Sequence, residues 1–421
     1  MSAFLLRLAA RSAWNRRFTL ALTVCSIALA TLMLLGVERI RTDLHESFRS
    51  AVSGTDLVVG ARTGSVNLLL YSVFRVGAAT NDIRWSSIQA LEQLRGVEWV
   101  VPLSLGDSHR GFPVVGTTPN YFDHFRYGAR QPLRLAHGAV FAELFDAVIG
   151  AEVADRLGYR LGQRITLAHG SGEIELADHA DKPFEITGIL AATGTPVDRT
   201  VHISLQAMTA LHADWIGGVP PSGRRAAAPS PPVRNLQPKA VTAALVGLQS
   251  RAAVFSVQRE INRFDGEPLM AILPGVALDE LWQVIGTGEK GLLLMSGLVA
   301  GVSVAGLISV VLAGLNERRR ELAVLRAVGA NPYHLMLLLA LEGLLVAASG
   351  IVLGVAVMVA ALAIAGPWLQ SAYGLTVHAF APTATQLAYL AGLAVAGLLA
   401  SLLPGWLAYR LSLSDGLMPR T

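Results

Sequence analysis

The stretch 316-NERRRELAVLRAVGANPYHL-335 holds six charged residues, four of them Arg, between two long apolar runs. Charges of both signs around an apolar stripe suit docking rather than bond making. Leu322, Leu325 and Val328 recur at helical spacing, with Arg318, Arg319, Arg320 and Arg326 around them. A helix that only lay on lipid headgroups would use the Arg residues but gain nothing from Glu317 and Glu321. The mixture favours a groove in a protein partner. Gly329 suits the position just past a helix end, where positive φ costs a glycine nothing. Asn331 can cap the next helix, with Pro332 at its first position.

Other residue patterns speak against chemistry in this chain. It has no G-x-x-x-x-G-K-[ST] phosphate loop, no G-x-S-x-G elbow and no H-E-x-x-H pair. The run Gly286–Gly291 lacks the loop's spacing. His109, His124, His137, His169, His179, His202 and His212 show no metal-ligand spacing, so no metal site is expected. His169 and His179, with Asp178 and Asp181, read as a solvated loop. Cys25 is the one cysteine, which excludes an internal disulfide. It reads as a small apolar filler. Glu342 stands roughly 10 Å into an apolar run at about 1.5 Å per residue. An acid at such depth is an intramembrane polar candidate for function; the plainer alternative is pairing with an Arg or with Ser349.

These residues need elements to position them. The chain has 421 residues, 52% hydrophobic and 15% charged, well below the charge of a typical soluble protein. A net charge of +4 without a basic-aromatic tract gives no reason to expect nucleic acid. Four runs reach the roughly 20 apolar residues that span a bilayer: Phe18–Val37, Gly291–Leu315, Leu335–Ala365 and Leu387–Ala408. The first reads as an uncleaved anchor, and the third is long enough to tilt or to extend beyond lipid. Arg clusters in residues 1–17 and 316–334, and their absence from 366–386, put both termini in the cytoplasm. Arg39, Arg41 and Arg49 run against that rule but precede a long translocated segment. The expectation is a polytopic α-helical membrane protein with four transmembrane helices and a short cytoplasmic tail, residues 409–421. Residues 38–290 form a large mixed α/β extracytoplasmic domain between spans 1 and 2.

Within that domain, strands are expected at 55–60, 97–103, 112–118, 164–170, 184–190 and 200–205, and helices at 84–94, 147–158 and 249–264. Residues 217–240, rich in Pro and small side chains, read as a surface loop. The apolar run 66–74 is either a hidden core element or an exposed patch that meets a partner. Val37, Ile40, Leu44, Phe48 and Val52 make one helical face, and Leu278, Leu281, Trp282 and Ile285 another. Each continues from a span. Together they form a two-helix stalk, or each packs on the domain core.

The run 317–335 followed by a long span resembles the coupling segment of FtsX-like, MacB-type ABC transporter permeases. This is the type VII family of the MacB efflux pump and the LolC/LolE lipoprotein-release subunits. Residues 115-VGTTPNYFDHF-125, 149-IGAEVADRLGYRLGQRITL-167 and 184-FEITGIL-190 resemble pieces of the MacB-like periplasmic core domain. The tail 410-RLSLSDGLMPR-420 is similar to the family's ending but lacks its Pro. The resemblance implies a non-catalytic permease with no cofactor of its own in the inner membrane. ATP is then bound by a cytoplasmic ABC ATPase, which docks on Glu317–Gly329. A homodimer or heterodimer of permeases follows, as does transmission of motion along the stalk to a periplasmic domain, where a periplasmic or outer-membrane partner can act. Export, lipoprotein or lipid extraction and envelope signalling all use this plan. The alternative is a membrane-anchored envelope sensor or scaffold without an ATPase.

Overall fold

The computed structural model describes residues 17–170, 177–178, 181–212, 236–317, 324, 329, 331–373 and 382–410. Among the described residues, four helices are long and apolar enough to cross a membrane. They are Arg17–Ala51, Pro274–Glu317, Pro332–Tyr373 and Ala384–Arg410. In lipid, every peptide group must find its partner inside its own helix, which favours unbroken runs of this kind. The fourth opens with a reciprocal cap: Thr383 Oγ1 accepts from the Gln386 amide, and Gln386 Oε1 accepts from the Thr383 amide. The fold divides into a membrane unit, holding the described residues up to Asp43 and most of those from Gly286 onward, and an interspan domain, Leu44–Ile285.

In the membrane unit, small residues let the helices approach. A Cβ added at Gly350 would stand 2.7 Å from the Ile27 Cβ, and one at Gly354 would stand 2.6 Å from that of Thr31. These two glycines form a G-x-x-x-G pair against the first long helix. Gly343 meets Ser401, and Gly397 meets Ala347, so the same helix also receives the fourth. The Ser26 and Ser303 hydroxyls lie 2.9 Å apart, and Ser303 also donates to the Ser26 carbonyl. Cys25 is exposed rather than packed as filler.

The interspan domain is built on one mixed sheet. Its main path runs Leu269–Ile272, Leu57–Ala61, Ala243–Leu248, Val97–His109, Phe112–Thr117, Val201–Ser204, Asp146–Ile149, Phe184–Leu190, Leu135–Gly138. Two neighbouring pairs, Phe112–Thr117 with Val201–Ser204 and Asp146–Ile149 with Phe184–Leu190, are parallel. Side chains alternate across the sheet. Val58, Leu103, Val115, Val148 and Leu245 enter one cluster on one face. Leu57, Val59, Ala244 and Val246 enter a second on the other, and Val114, Ala147, Ile149 and Ile203 a third. Both faces are therefore buried, which explains the near-continuous apolar strands.

One sequence expectation changes here, and one open alternative is decided. Residues 147–149 are strand, not helix; the helix starts only at Ala151, after Gly150. Three consecutive apolar positions cannot by themselves distinguish the two periods. Residues 66–74 are a core element: a short helix passes into a π-helix at Leu70–Phe74, and Leu68, Leu69, Tyr71 and Phe74 are buried. Of the expected loop at 217–240, residues 217–235 lie outside the described residues.

His202 sits in an aromatic nest with ring centroids 5.3 Å from Tyr121 and 5.7 Å from Phe122. Burial and the nearby Arg75 charge push its pKa down to about 3. A neutral buried imidazole adds stability that is complete above its unfolded pKa near 6.5 and is lost as pH falls toward 3. The His202→Gln variant of the detergent-solubilised protein should therefore show a shallower loss of melting temperature from pH 7 to pH 5 than wild type. The difference at the acid end should be on the order of a few kcal/mol.

Candidate functional site

The candidate site comprises the charged segment after the second long helix and the amphipathic helix ends that border the domain. Of the segment, Arg318, Arg319, Arg320, Glu321, Leu322, Leu325, Arg326 and Val328 lie outside the described residues. Its borders are described. The second long helix continues to Glu317, past its apolar run. Gly329 has φ +98°, where any Cβ would be strained. The Asn331 side-chain oxygen accepts from the Tyr333 amide at 3.4 Å, and the Asn331 carbonyl accepts from the His334 amide at 2.9 Å. Pro332 opens the next helix. Stop and restart are thus set by three adjacent residue types, each suited to its place.

The amphipathic ends continue their apolar runs as unbroken helix. Inside the interspan domain, His45 stacks on Trp282 at 3.8 Å and 13° between planes. Phe48 packs edge-on against Trp282 at 5.3 Å and against Phe74 at 4.3 Å. Leu278 belongs to the first core cluster, and Phe48, Val52, Leu281 and Trp282 pack against it. Within the interspan domain these helix ends touch each other and rest on the core. Leu44 is half-buried. Ile40 and Ile285 depart from the expected stripe, being 51% and 41% exposed.

In the membrane unit, Arg41 donates to Glu289 at 3.0 Å across the two long helices and lies 3.4 Å from Glu38. Arg39 donates to Asp43 at 2.9 Å. Two of the three arginines that opposed the charge rule are therefore matched by carboxylates. Glu342 is buried, whereas Ser349 points outward.

Spacing along the chain concealed one constellation. His169 does not share a loop site with Asp181; its Nδ1 lies 2.9 Å from Asp107 Oδ1 and 3.2 Å from His212 Nε2. His179 lies outside the described residues. The convergence follows from strand pairing, because His169 stands directly opposite Asp107.

Comparison with known proteins fits this architecture. Residues 19–264 match the MacB-like periplasmic core domain, and residues 293–413 match the FtsX-like permease C-terminal domain. Among solved structures, the periplasmic region of MacB from Actinobacillus actinomycetemcomitans aligns at 12% identity and TM-score 0.34, covering 56% of this chain and 95% of that one. The extracellular domain of the noncanonic ABC-type transporter YknZ from Gram-positive bacteria aligns at 12% identity and TM-score 0.31, covering 51% and 98%. No curated protein matched the chain. A four-helix membrane protein with a large α/β domain between its first two long helices is the class these features define. The chain belongs to the FtsX-like, MacB-type family of ABC transporter permeases.

Trp282 joins both helix ends to the core. Trp282→Ala should lower stability by about 2–4 kcal/mol, somewhat less than a fully buried Trp. A thermal melt should register this beside an exposed control such as Gln283→Ala, which should change it little.

Proposed function

We propose that this permease couples ATP hydrolysis by a separate cytoplasmic ATPase to conformational change in a periplasmic domain. The protein works as a dimer in the inner membrane, with both termini and the segment 316–334 in the cytoplasm. The observation that carries this reading is the charged, Leu-striped segment 317–329, set between two spans in a chain that has no phosphate loop. Leu322, Leu325 and Val328 enter a groove of the ATPase, and Arg318, Arg319, Arg320 and Arg326 meet acidic groups at its rim. Glu317 and Glu321 make the contact specific for protein over lipid. The turn at Gly329–Pro332 returns the chain directly into the third span, so a push on the docked segment acts on two long helices. The helix ends around Phe48 and Trp282 pass that motion to the domain. Cargo export, extraction of a lipid or lipoprotein, and control of an envelope enzyme are outputs compatible with this mechanism.

The test is capture from native membranes with tagged full-length protein, wild type beside Leu325→Asp. Wild type should recover a phosphate-loop ATPase, and the variant should lose it by about tenfold or more, since a charge placed in an apolar contact costs at least ~1.4 kcal/mol. Equal elution of both proteins as single species in detergent checks folding. Recovery of no ATPase by well-folded wild type would instead support a sensor or scaffold.

A further inference from the structure

Asp107, His169 and His212 come from three distant parts of the chain. Asp107 lies near the end of the strand Val97–His109, and His169 ends the two-residue strand Ala168–His169 that pairs with it in antiparallel register. Cross-strand neighbours share a face. The pairing of Val97–His109 with Phe112–Thr117 shifts register between Leu105 and Ser108, and Gly106 within that shift has φ +142°. Such bulges re-aim a side chain. The Gly170 amide donates to the Gly106 carbonyl at 3.0 Å, which ties His169 to the bulge. His212 follows the helix Leu205–Leu211, whose last carbonyls accept from Lys182 Nζ at 2.8 and 3.4 Å.

Three atoms converge: Asp107 Oδ1, His169 Nδ1 and His212 Nε2. Their separations are 2.9 Å for Asp107–His169, 3.2 Å for His169–His212 and 3.4 Å for Asp107–His212. Ligand atoms bound about 2.0–2.1 Å from one ion, at angles of roughly 90–110°, stand about 2.9–3.4 Å apart. A circle through the three atoms has a radius of about 1.8 Å, slightly less than such a bond. An ion would therefore cap the triangle and leave its outer side free. The imidazole rings cross at 73°, so their nitrogens meet without the rings colliding. The far nitrogen of His212, Nδ1, lies 3.0 Å from the Met208 carbonyl, to which it donates. That bond puts the lone pair of a neutral ring on Nε2, as ligand histidines require.

We propose that Asp107, His169 and His212 form a binding site for a divalent transition-metal ion of the zinc class. Two imidazoles are borderline donors, joined here by one harder carboxylate. They suit zinc better than copper(I), which favours sulfur, or magnesium and calcium, which need more oxygens. The Asp107 side chain is fully buried, whereas those of His169 and His212 are about one-third exposed, so the site opens to solvent on the imidazole side. Among the described residues three ligands meet there, which leaves a fourth position for water or another group. The rival at the same atoms is an ion pair. Burial lowers the His212 pKa, but the hydrogen bond and charge of Asp107 outweigh it and favour imidazolium. Lys182 adds a positive charge nearby, and both an ion and a proton must work against it.

The experiment uses full-length protein in detergent, stripped with chelator and carrying no histidine tag. Zinc is titrated against a chromogenic competitor, with magnesium and calcium in excess. Wild type should take up one zinc per chain and gain several degrees of melting temperature. His212→Gln and Asp107→Asn should each weaken binding by about 100-fold or more, since even an outer-shell loss costs 10–100-fold. His137→Gln should match wild type. X-ray absorption at the zinc edge of wild type should show two imidazoles among nitrogen and oxygen ligands, a readout that depends on no variant's folding. Absence of stoichiometric uptake, uptake equal in all variants, or a spectrum with fewer than two imidazoles would overturn the site in favour of the ion pair.

Discussion

Lipid offers no hydrogen bonds, and this constraint organises the whole chain. Each spanning segment must satisfy its own backbone, so all four are unbroken helices and polar side chains among them are few. Helices cannot be pressed together by the hydrophobic effect when the solvent is itself hydrocarbon. Close approach takes its place, with Gly350 and Gly354 against Ile27 and Thr31, Gly397 against Ala347, and paired serines between the first two helices. Glu342 is buried within this unit instead of facing outward.

Outside the apolar runs, water competes for every polar group, and a different device is used. The interspan domain buries both faces of a long mixed sheet, with three clusters separated by the alternation of side chains. The domain holds no cysteine, since the chain's one, Cys25, lies in the first long helix, so its stability rests on this core. The π-helix at Leu70–Phe74 and the ring stack of His45, Phe48 and Trp282 extend the first cluster to the two long helices that enter the domain.

The Asp107–His169–His212 cluster and the charged segment 317–329 lie in different parts of the chain. One concerns a bulged strand, its partner and a helix end in the interspan domain; the other concerns a segment between spans. An exchangeable ion in the interspan domain would link the state of that domain to the composition of its surroundings. The fold sets Asp107 and His169 on paired strands and His212 directly after a helix, stiffer supports than a free loop.

Much of this protein is local and therefore legible in its sequence. Four apolar runs of bilayer length identify the spans, and the Gly329–Asn331–Pro332 turn follows from the torsional and hydrogen-bonding preferences of those residue types. The charged segment and the core-domain motifs carry the resemblance to the family. Tertiary structure decided what depends on contacts between distant residues. It made residues 147–149 a strand, because a buried parallel neighbour outweighs an ambiguous apolar pattern. It turned the run 66–74 into core and left Ile40 and Ile285 exposed on otherwise apolar faces. It also brought Asp107, His169 and His212 within 3.4 Å of one another. No spacing rule could have found them, because strand register and a bulge, rather than proximity along the chain, determine which side chains meet.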